Sequence, residues 1–402
     1  MQFNPLHPPS PGESPVLRPP VLSEAPVLRP VNPSEAPILR PPAQVFAADQ
    51  LLPPQAPTGQ ALPAAPLNYQ VFSAQQGKKL ATPVYTTYGT PEKFTVKGRI
   101  LEAEASEPRP GDSKLRNLKR SFHQFESDEK KYLWVDVSVM GQTQRVQSDK
   151  EGFFELQLKA PGPVRDGYHP VEARLVPGQQ HYVADVAHGQ VVIQNATRAS
   201  TGIISDIDDT IQESHVTHKL KMAKTMLLGN PYSQKPVAGM AEFLRALDQH
   251  NDGQLDGDVT YVSGSPLNIA ERLEKFRQLH QFPAGAMELK QLGLGANSDS
   301  PTEQLQYKLG KIRTLFNTYP NRSFVLVGDS GEKDPEVYRQ IAQEFPGRVQ
   351  AVYIHNVTGS SPQDPRFAGM LLFQSAAEAA ADAAARGLIS ATDSERVRAA
   401  SR

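Results

Sequence analysis

The chain has 402 residues and no cysteine, and its 42 lysines and arginines nearly balance its 43 aspartates and glutamates. The absence of cysteine excludes disulfides, thiolate metal sites and cysteine nucleophiles. A formal net charge of −1 gives the chain no overall attraction to nucleic acid, so we expect no nucleic-acid partner.

The first residues lack the basic-then-apolar order of a secretory signal, and no apolar run is long enough to cross a membrane. We therefore expect a cytoplasmic protein, with peripheral attachment to a membrane as a further expectation. The length is sufficient for two or three domains.

Residues 1–80 are predicted to be a disordered, proline-rich region. Three copies of an 11-residue repeat begin at Glu13, Glu24 and Glu35, each containing Pro-(Val/Ile)-Leu-Arg-Pro. Proline at this density blocks helices and favours polyproline II. Two interpretations remain open: a motif presented three times to a protein partner, or a stiff spacer.

Residues 82–196 are predicted to form an all-β sandwich of about seven short strands. Apolar residues alternate at Leu133, Val135, Val137 and Val139, as expected for a half-buried strand. Further strands are predicted at residues 94–101, 152–158, 171–176, 182–186 and 190–193. The charged segment 102–129 is either a solvated loop or a surface that faces a membrane, through Lys114, Arg116, Lys119 and Arg120.

Residues 200–390 alternate strands with helices, which predicts an α/β domain with a parallel sheet and right-handed crossovers. Buried strands are predicted near residues 202–205, 259–266, 324–327 and 349–354, the second of them ending in hydroxyl-bearing residues. Helices are predicted at 240–247, 268–279, 303–316 and 335–345, and an alanine-rich helix ends at Gly387. The acidic stretch 252–258 is interpreted as a surface loop, and residues 391–402 as a C-terminal tail.

Three of the predicted strands end in polar residues. The first is followed by Asp206, Asp208 and Thr210, the second carries Ser263 and Gly264 near its end, and the third is followed by Asp329 and Asp334. Open α/β sheets bind ligands at the carboxyl ends of their strands. Close carboxylates repel each other unless a cation or a shared proton intervenes, so the pattern favours a divalent metal site.

These positions resemble the motifs of the haloacid dehalogenase (HAD) superfamily of phosphoryl-transfer enzymes: Asp206-x-Asp208-x-Thr210, Ser263, Lys308, and Asp329 with Asp334. The resemblance implies a HAD-like Rossmannoid catalytic domain. It also implies that Asp206 attacks phosphorus and that Asp208 acts as general acid and then general base.

Mg²⁺ is the cofactor that the resemblance implies. Its expected ligands are Asp206, the main-chain carbonyl of Asp208, and Asp329, with Asp334 orienting either a metal-bound water or Lys308. Lys308, Thr210, Ser263 and Gly264 are expected to hold the phosphoryl oxygens.

The segments 203–211, 261–266 and 328–338, behind a β region containing residues 148–154, resemble the actin-patch-protein type of magnesium-dependent phosphatidate phosphatase. The likeness covers roughly residues 82–390 and implies hydrolysis of phosphatidate to diacylglycerol and phosphate at a membrane surface. Three residues differ from those frequent at the same positions in that family: Tyr307, Leu267 and His355. These differences concern the identity of the substrate more than the type of reaction. Two alternatives remain: a HAD phosphatase for another phosphomonoester, and a membrane-associated scaffold that uses the repeats and the β region.

Overall fold

The computed structural model describes residues 80–102, 111, 132–179, 186–213, 230–291 and 303–402. The proline-rich repeats and the basic residues Lys114, Arg116, Lys119 and Arg120 lie outside the described residues. Most of the strand predicted at 182–186 lies outside them as well. None of the helices in the described part of the chain combines the length and apolar character that spanning a bilayer requires.

Among the residues that the structure describes, ten strands precede residue 200, and their alternating apolar residues form one core. Val96, Val135, Val137, Ala173 and Val191 are all buried there. The strands are β1 (Leu80–Ala81), β2 (Val84–Tyr85), β3 (Thr87–Thr90), β4 (Lys93–Arg99), β5 (Leu101–Glu102), β6 (Trp134–Val139), β7 (Gln142–Gln147), β8 (Phe153–Leu158), β9 (Gly167–Leu175) and β10 (Val186–Ile193).

Eight of these strands form a single sheet in the order β2-β4-β3-β10-β9-β6-β7, with β8 paired to β4, while β1 and β5 form a separate pair. Only the β3–β10 pair of this sheet is parallel. Strand β7 forms one edge of this sheet, and β8, through its pairing with β4, forms the other. These two edge strands contact each other, so the sheet curls around its core. The predicted two-sheet sandwich is therefore corrected to one curled sheet.

From residue 201 onward, strands alternate with helices in the predicted α/β order. The strands are β11 (Thr201–Ser205), β12 (Val259–Pro266), β13 (Ala286–Lys290), β14 (Ser323–Asp329), β15 (Val349–His355) and β16 (Leu371–Phe373). The helices are α1 (Met240–Asp248), α2 (Ala270–Leu279), α3 (Gln304–Thr318), α4 (Asp334–Glu344), α5 (Ala376–Ala385) and α6 (Ala391–Ala400), with 3-10 turns at Leu267–Ile269 and Pro365–Phe367.

These six strands form a parallel sheet in the order β13-β12-β11-β14-β15-β16, which confirms the predicted parallel sheet. Successive strand residues face opposite ways: Ile203 packs against the layer that contains Phe243 of α1, while Ile204 packs against the layer that contains Ile312 of α3. Helices therefore cover both faces of the sheet. Its central strands can be apolar throughout for that reason.

Several elements go beyond the predictions. Strands β13 and β16 have no predicted counterpart, and the predicted tail contains helix α6. That helix is polar on most sides, and Val397 is its only fully buried residue. It begins at Ser390 with a capping box to Asp393. A helix with so narrow an apolar stripe gives little periodic signal in the sequence.

The curled sheet contacts the α/β layers through tyrosine hydroxyl groups. The Tyr168 hydroxyl donates to the carbonyl of Ala284 over 2.8 Å, and the Tyr319 hydroxyl donates to the carbonyl of Gly89 over 3.0 Å. All described residues belong to one compact unit. The two sheets therefore support each other's positions.

Candidate active site

Four acidic side chains meet at the carboxyl edge of the parallel sheet. Asp206 follows β11, Asp329 ends β14, Asp334 opens α4, and Glu332 lies on the loop between β14 and α4. One carboxylate oxygen from each lies within 4.8 Å of the others. Asp206, Asp329 and Asp334 are each no more than 1% exposed. Three of the aspartates predicted at two different strand ends are thus brought together.

Lys308 of helix α3 reaches into this acidic cluster. Its ammonium nitrogen lies 2.7 Å from Oδ1 of Asp206, 2.5 Å from Oδ1 of Asp334 and 3.0 Å from Oε2 of Glu332. The lysine side chain is 1% exposed. A buried ammonium with three carboxylate partners is held in one position.

The loop from β14 to α4 is arranged around Asp329. Its Oδ1 accepts from the backbone N–H groups of Gly331 over 2.6 Å and Glu332 over 3.0 Å. Oδ2 of Asp334 accepts from the backbone N–H of Asp329 over 3.2 Å. Oδ2 of Asp329 is buried and has no hydrogen-bond partner among the described residues.

Burial has opposite effects on the acids and on the lysine. It raises the pKa of Asp206 and Asp329 well above the usual range of a carboxyl group, and Lys308 opposes that rise. Burial alone would lower the pKa of Lys308, but Asp206, Asp334 and Glu332 outweigh it and raise that pKa. The lysine is therefore a fixed positive charge.

The charge balance of the cluster fits a divalent cation. Four carboxylates face one ammonium, and Oδ2 of Asp329 is an oxygen donor without a partner among the residues that the structure describes. Every donor in the cluster is a hard carboxylate oxygen, which is the ligand type that Mg²⁺ prefers. The residues present therefore suit such an ion by both charge and donor type.

Asp208 lies outside the four-acid cluster and is held by hydroxyl and amide groups. Ser265 donates to its Oδ2 over 2.8 Å and Ser263 over 3.3 Å, while the Gln212 amide donates to Oδ1 over 2.7 Å. The backbone N–H of Ser265 also donates to Oγ of Ser263 over 2.9 Å. The second strand end therefore positions Asp208 beside the nucleophile candidate.

The two other residues predicted to hold phosphate have different surroundings. Oγ1 of Thr210 donates to Oδ2 of Asp206 over 3.3 Å, so it contacts the carboxylate of the nucleophile candidate. Gly264 faces Gln304: a Cβ at position 264 would lie 2.9 Å from the Gln304 amide nitrogen. The glycine thus leaves room for a side chain that also bonds Glu332.

Glu332, Gln212, Ser265 and Gln304 are functional candidates that the sequence analysis missed. Glu332 offered a signal, since it is a third acid between Asp329 and Asp334 in the same loop. The other three are common residue types at turn or helix positions. Only the fold shows which of them point toward the carboxylates.

The three residues that depart from the family pattern lie near the site. His355 donates through Nδ1 to the carbonyl of Asp209 over 2.7 Å and stacks on Phe373 at 5.3 Å. Tyr307 is buried, with the ammonium of Lys290 5.6 Å from its ring centre. Leu267 is 9% exposed in a 3-10 turn. All three contribute packing around the carboxyl edge of the sheet.

The whole acidic cluster, Lys308 and Asp208 fall within one continuous stretch that is similar to known proteins. Residues 201–356 match the family model for the catalytic domain of phosphatidate phosphatase APP1. The resemblance predicted over residues 82–390 is confirmed for this stretch. The curled sheet lies outside the match.

Two curated relatives align with this chain. Phosphatidate phosphatase APP1 of Saccharomyces cerevisiae is 31% identical over 164 residues, which is 41% of this chain and 27% of that protein. An uncharacterised protein of Schizosaccharomyces pombe is 29% identical over 163 residues, covering 40% of this chain and 26% of that protein. The chain therefore spans about a quarter of the length of these relatives.

Similarity to solved structures is weak. A carbohydrate acetylesterase from Xanthomonas citri aligns with 69% of this chain and 68% of its own at 10% identity, with a TM-score of 0.25. A likeness at that level supports no inference about this protein.

Proposed function

We propose that this protein is a magnesium-dependent phosphatidate phosphatase, which hydrolyses phosphatidate to diacylglycerol and phosphate through an aspartyl-phosphate on Asp206. The observation that carries the proposal is the contact of Lys308 with Asp206 beside Asp329 and Asp334, inside the stretch that matches the phosphatidate phosphatase family. The catalytic domain is proposed to span residues 200–390.

In the proposed first step, a carboxylate oxygen of Asp206 forms a bond to phosphorus while the bond from phosphorus to the glycerol oxygen breaks. Asp208 donates a proton to that leaving oxygen, which departs as the hydroxyl of diacylglycerol. In the second step water attacks the aspartyl-phosphate, Asp208 takes a proton from the water, and the Asp206 carboxylate is released with phosphate.

The surrounding residues prepare these steps by position and charge. Lys308 reduces the negative charge of Asp206 and faces the incoming phosphoryl oxygens. Ser265 and Gln212 hold the Asp208 carboxyl in one orientation. Oδ1 and Oδ2 of Asp334 are both engaged by protein donors, so Asp334 positions Lys308 and Asp329.

The chain's own oxygen donors are proposed to hold the magnesium ion. Asp206 and Asp329 would supply carboxylate oxygens, Asp208 its main-chain carbonyl, and Asp334 the alignment of Asp329. When bound, the ion screens the repulsion between the phosphate and the acidic site. Thr210, Ser263 and Gly264 are proposed to contact the phosphoryl group once it enters.

The curated yeast relative, which is named a phosphatidate phosphatase, supports a lipid substrate. We also propose that the protein is cytoplasmic and attaches peripherally to a membrane. Phosphatidate is anionic and lies at a bilayer surface, so the enzyme must bind there for each turnover. The proline-rich repeats are proposed to engage a protein partner.

The test is phosphate release from phosphatidate in detergent mixed micelles, with and without Mg²⁺, beside soluble phosphomonoesters. Magnesium-dependent release that is lost in Asp206→Asn supports the proposal. The matched control is Asp209→Asn, a neighbouring acid outside the four-acid cluster at positive φ, where asparagine is well tolerated.

Other outcomes would favour the alternatives. Turnover of a soluble ester without turnover of phosphatidate identifies a phosphatase for another substrate. A cellular phenotype that survives Asp206→Asn identifies a scaffold whose main work is recruitment.

A further inference from the structure

A second group of acids lies at the amino edge of the parallel sheet, opposite the candidate active site. Asp248 is the last residue of α1, and Asp256 and Asp258 lie on the loop that leads into β12. One carboxylate oxygen from each lies within 4.8 Å of the others. The sequence interpretation of residues 252–258 as a surface loop holds for Asp252, which is exposed, but is wrong for Asp258, which is 3% exposed.

Asp248 is the feature of this group that points to a ligand. Its side chain is 0% exposed, and neither carboxylate oxygen makes a hydrogen bond of normal geometry in the described part of the chain, although the backbone N–H of Val259 is close enough to lower the pKa of this acid somewhat. Oδ1 of Asp256 is also buried without a partner there. Burial raises the pKa of Asp248 well above its usual range, and Asp256 adds to that rise. Native proteins rarely leave a buried carboxyl group in this condition.

The nearby cations are engaged with other acids. Arg322 forms an ion pair with Asp258 and a hydrogen bond to Gln194. Arg198 lies 3.1 Å from Asp166 and 3.0 Å from Asp252, and only 3.6 Å from Asp256. Neither arginine forms an ion pair with Asp248, although Arg322 acts on it from a longer distance and partly opposes the rise in its pKa.

We propose that Asp248, Asp256 and Asp258 form a calcium-binding site. Carboxylate oxygens are the ligands that Ca²⁺ prefers, and its irregular coordination suits a cluster supplied by a helix end and a loop. Mg²⁺ fits less well because it requires a near-octahedral shell and retains waters. Main-chain carbonyls of the loop complete the shell.

Part of the loop that carries these acids has the residue spacing of an EF-hand calcium-binding loop. Counting from Asp248 as position 1, Asp252 stands at position 5, Gly253 at 6 and Asp256 at 9, where EF-hand loops have ligands and a glycine. Gly253 adopts φ +77°, as the sharp turn requires. His250 and Val259 depart from that pattern at positions 3 and 12, and Asp258 supplies a carboxylate near the end of the loop.

The calcium site would join the two sheets. The Gln194 amide, which follows β10 of the curled sheet, donates to Oδ1 of Asp258 over 2.7 Å. Gly257 lies against Val192, close enough that a Cβ there would lie 2.8 Å from the valine side chain. An ion at this position stabilises the packing of the β12 loop on the curled sheet and takes no part in the chemistry at Asp206.

The experiment measures thermal unfolding of the full chain in EDTA and across a calcium chloride titration. The background is Asp329→Asn, which removes a proposed magnesium ligand. Binding to the folded state alone raises the unfolding temperature, by roughly 5 °C when calcium is a hundredfold above its dissociation constant. Isothermal titration should then give one calcium site per chain. An absent shift, or no binding heat at millimolar calcium, would overturn the proposal.

Adding Asp248→Asn to this background separates a metal site from a buried acid without a ligand. The variant should lose the calcium shift, yet be at least as stable as its parent in EDTA because an uncompensated carboxyl group has been removed. The matched control is Asp136→Asn, on β6, which should keep the full shift. A shift that persists in Asp248→Asn also contradicts the proposal. The phosphatase assay is independent of all these readouts, so either proposal can fail alone.

Discussion

Nζ of Lys308 and Oδ1 of Asp334 lie 2.5 Å apart, both side chains are buried, and the same aspartate accepts the backbone N–H of Asp329 through its second oxygen. One carboxylate therefore aligns both the cation and the acid that flank Asp206. In Asp334→Asn we expect the rate of phosphate release to fall by roughly 10²-fold, because the amide removes the negative charge that holds Lys308 and leaves one acceptor oxygen where there were two. Steady-state assays check this against Asp364→Asn at the exposed start of a 3-10 turn. Unchanged kcat would show that the alignment is dispensable.

The role of Asp208 can be tested through the leaving group. In Asp208→Asn we expect release from an alkyl phosphate such as phosphatidate to fall by about 10²- to 10⁴-fold, because the glycerol oxygen then departs without a proton. Release from p-nitrophenyl phosphate should fall far less in the first step, since nitrophenolate leaves unaided; burst-phase kinetics isolate that step.

Ser265→Ala is the companion variant for Asp208, because it removes the 2.8 Å hydrogen bond to that carboxyl and keeps the acid itself. It should show a smaller loss with the same dependence on leaving group. Equal losses for both substrates in Asp208→Asn would contradict the proton-donor role.

Gly328 lets Asp334 approach the end of β14. A Cβ at position 328 would lie 2.6 Å from Oδ2 and 2.7 Å from Cβ of Asp334. In Gly328→Ala we expect a stability loss of about 1–3 kcal/mol and a larger loss of activity, because Asp334 must move away from Lys308. Chemical denaturation and phosphate release measure the two effects.

Gly310, on helix α3, supplies the matched control. It lies exposed on α3, and a Cβ added there would meet nothing within 4 Å, so Gly310→Ala should raise stability by about 0.5–1 kcal/mol and leave activity intact. If both alanines behaved alike, steric crowding at Asp334 would not be the cause.

The pair between Arg313 and Glu344 predicts a pH effect on stability. The guanidinium donates to both carboxylate oxygens, over 2.7 and 2.6 Å, and lowers the pKa of Glu344 from 4.5 to about 2. A carboxyl group whose folded pKa is depressed stabilises the protein above its unfolded pKa, and that contribution is lost as pH falls toward the folded value.

Wild type should therefore exceed Glu344→Gln in stability at pH 7, and the gap should close between about pH 4.5 and pH 2. The partial exposure of both side chains limits the difference to about 1 kcal/mol or less. Urea denaturation at several pH values measures it. A gap that is constant with pH would mean that the ionised form is not responsible.

The parallel sheet was predictable because its central strands are continuous apolar runs between helical periods. Ile203, Ile204, Val325 and Leu326 carry that signal directly. Strand β16 has only three residues, and β13 mixes charged with apolar side chains. Such short or mixed elements are fixed by pairing with a neighbouring strand, which no local pattern records.

The candidate active site, like the fold, was predictable from the sequence only in part. The convergence of Asp206, Asp329 and Asp334 followed from strand ends, whereas Lys308 was assigned only through the resemblance to the HAD motifs. The hydrogen bonds of Gln212 and Ser265 to Asp208, and the burial of Asp248, depend on how distant elements pack. The acidity of residues 248–258 was visible in the sequence, but its burial was not.

The region of sequence similarity ends at residue 356, yet the chain continues to build the same layers beyond it. Strand β16 pairs with β15, and Ala376, Ala379 and Ala380 are fully buried beside Phe243. On the other side, the Tyr319 hydroxyl depends on Gly89. A truncated expression product cut to residues 201–356 would expose the apolar surfaces that these elements cover and should aggregate, whereas a fragment of residues 80–402 would keep those surfaces covered.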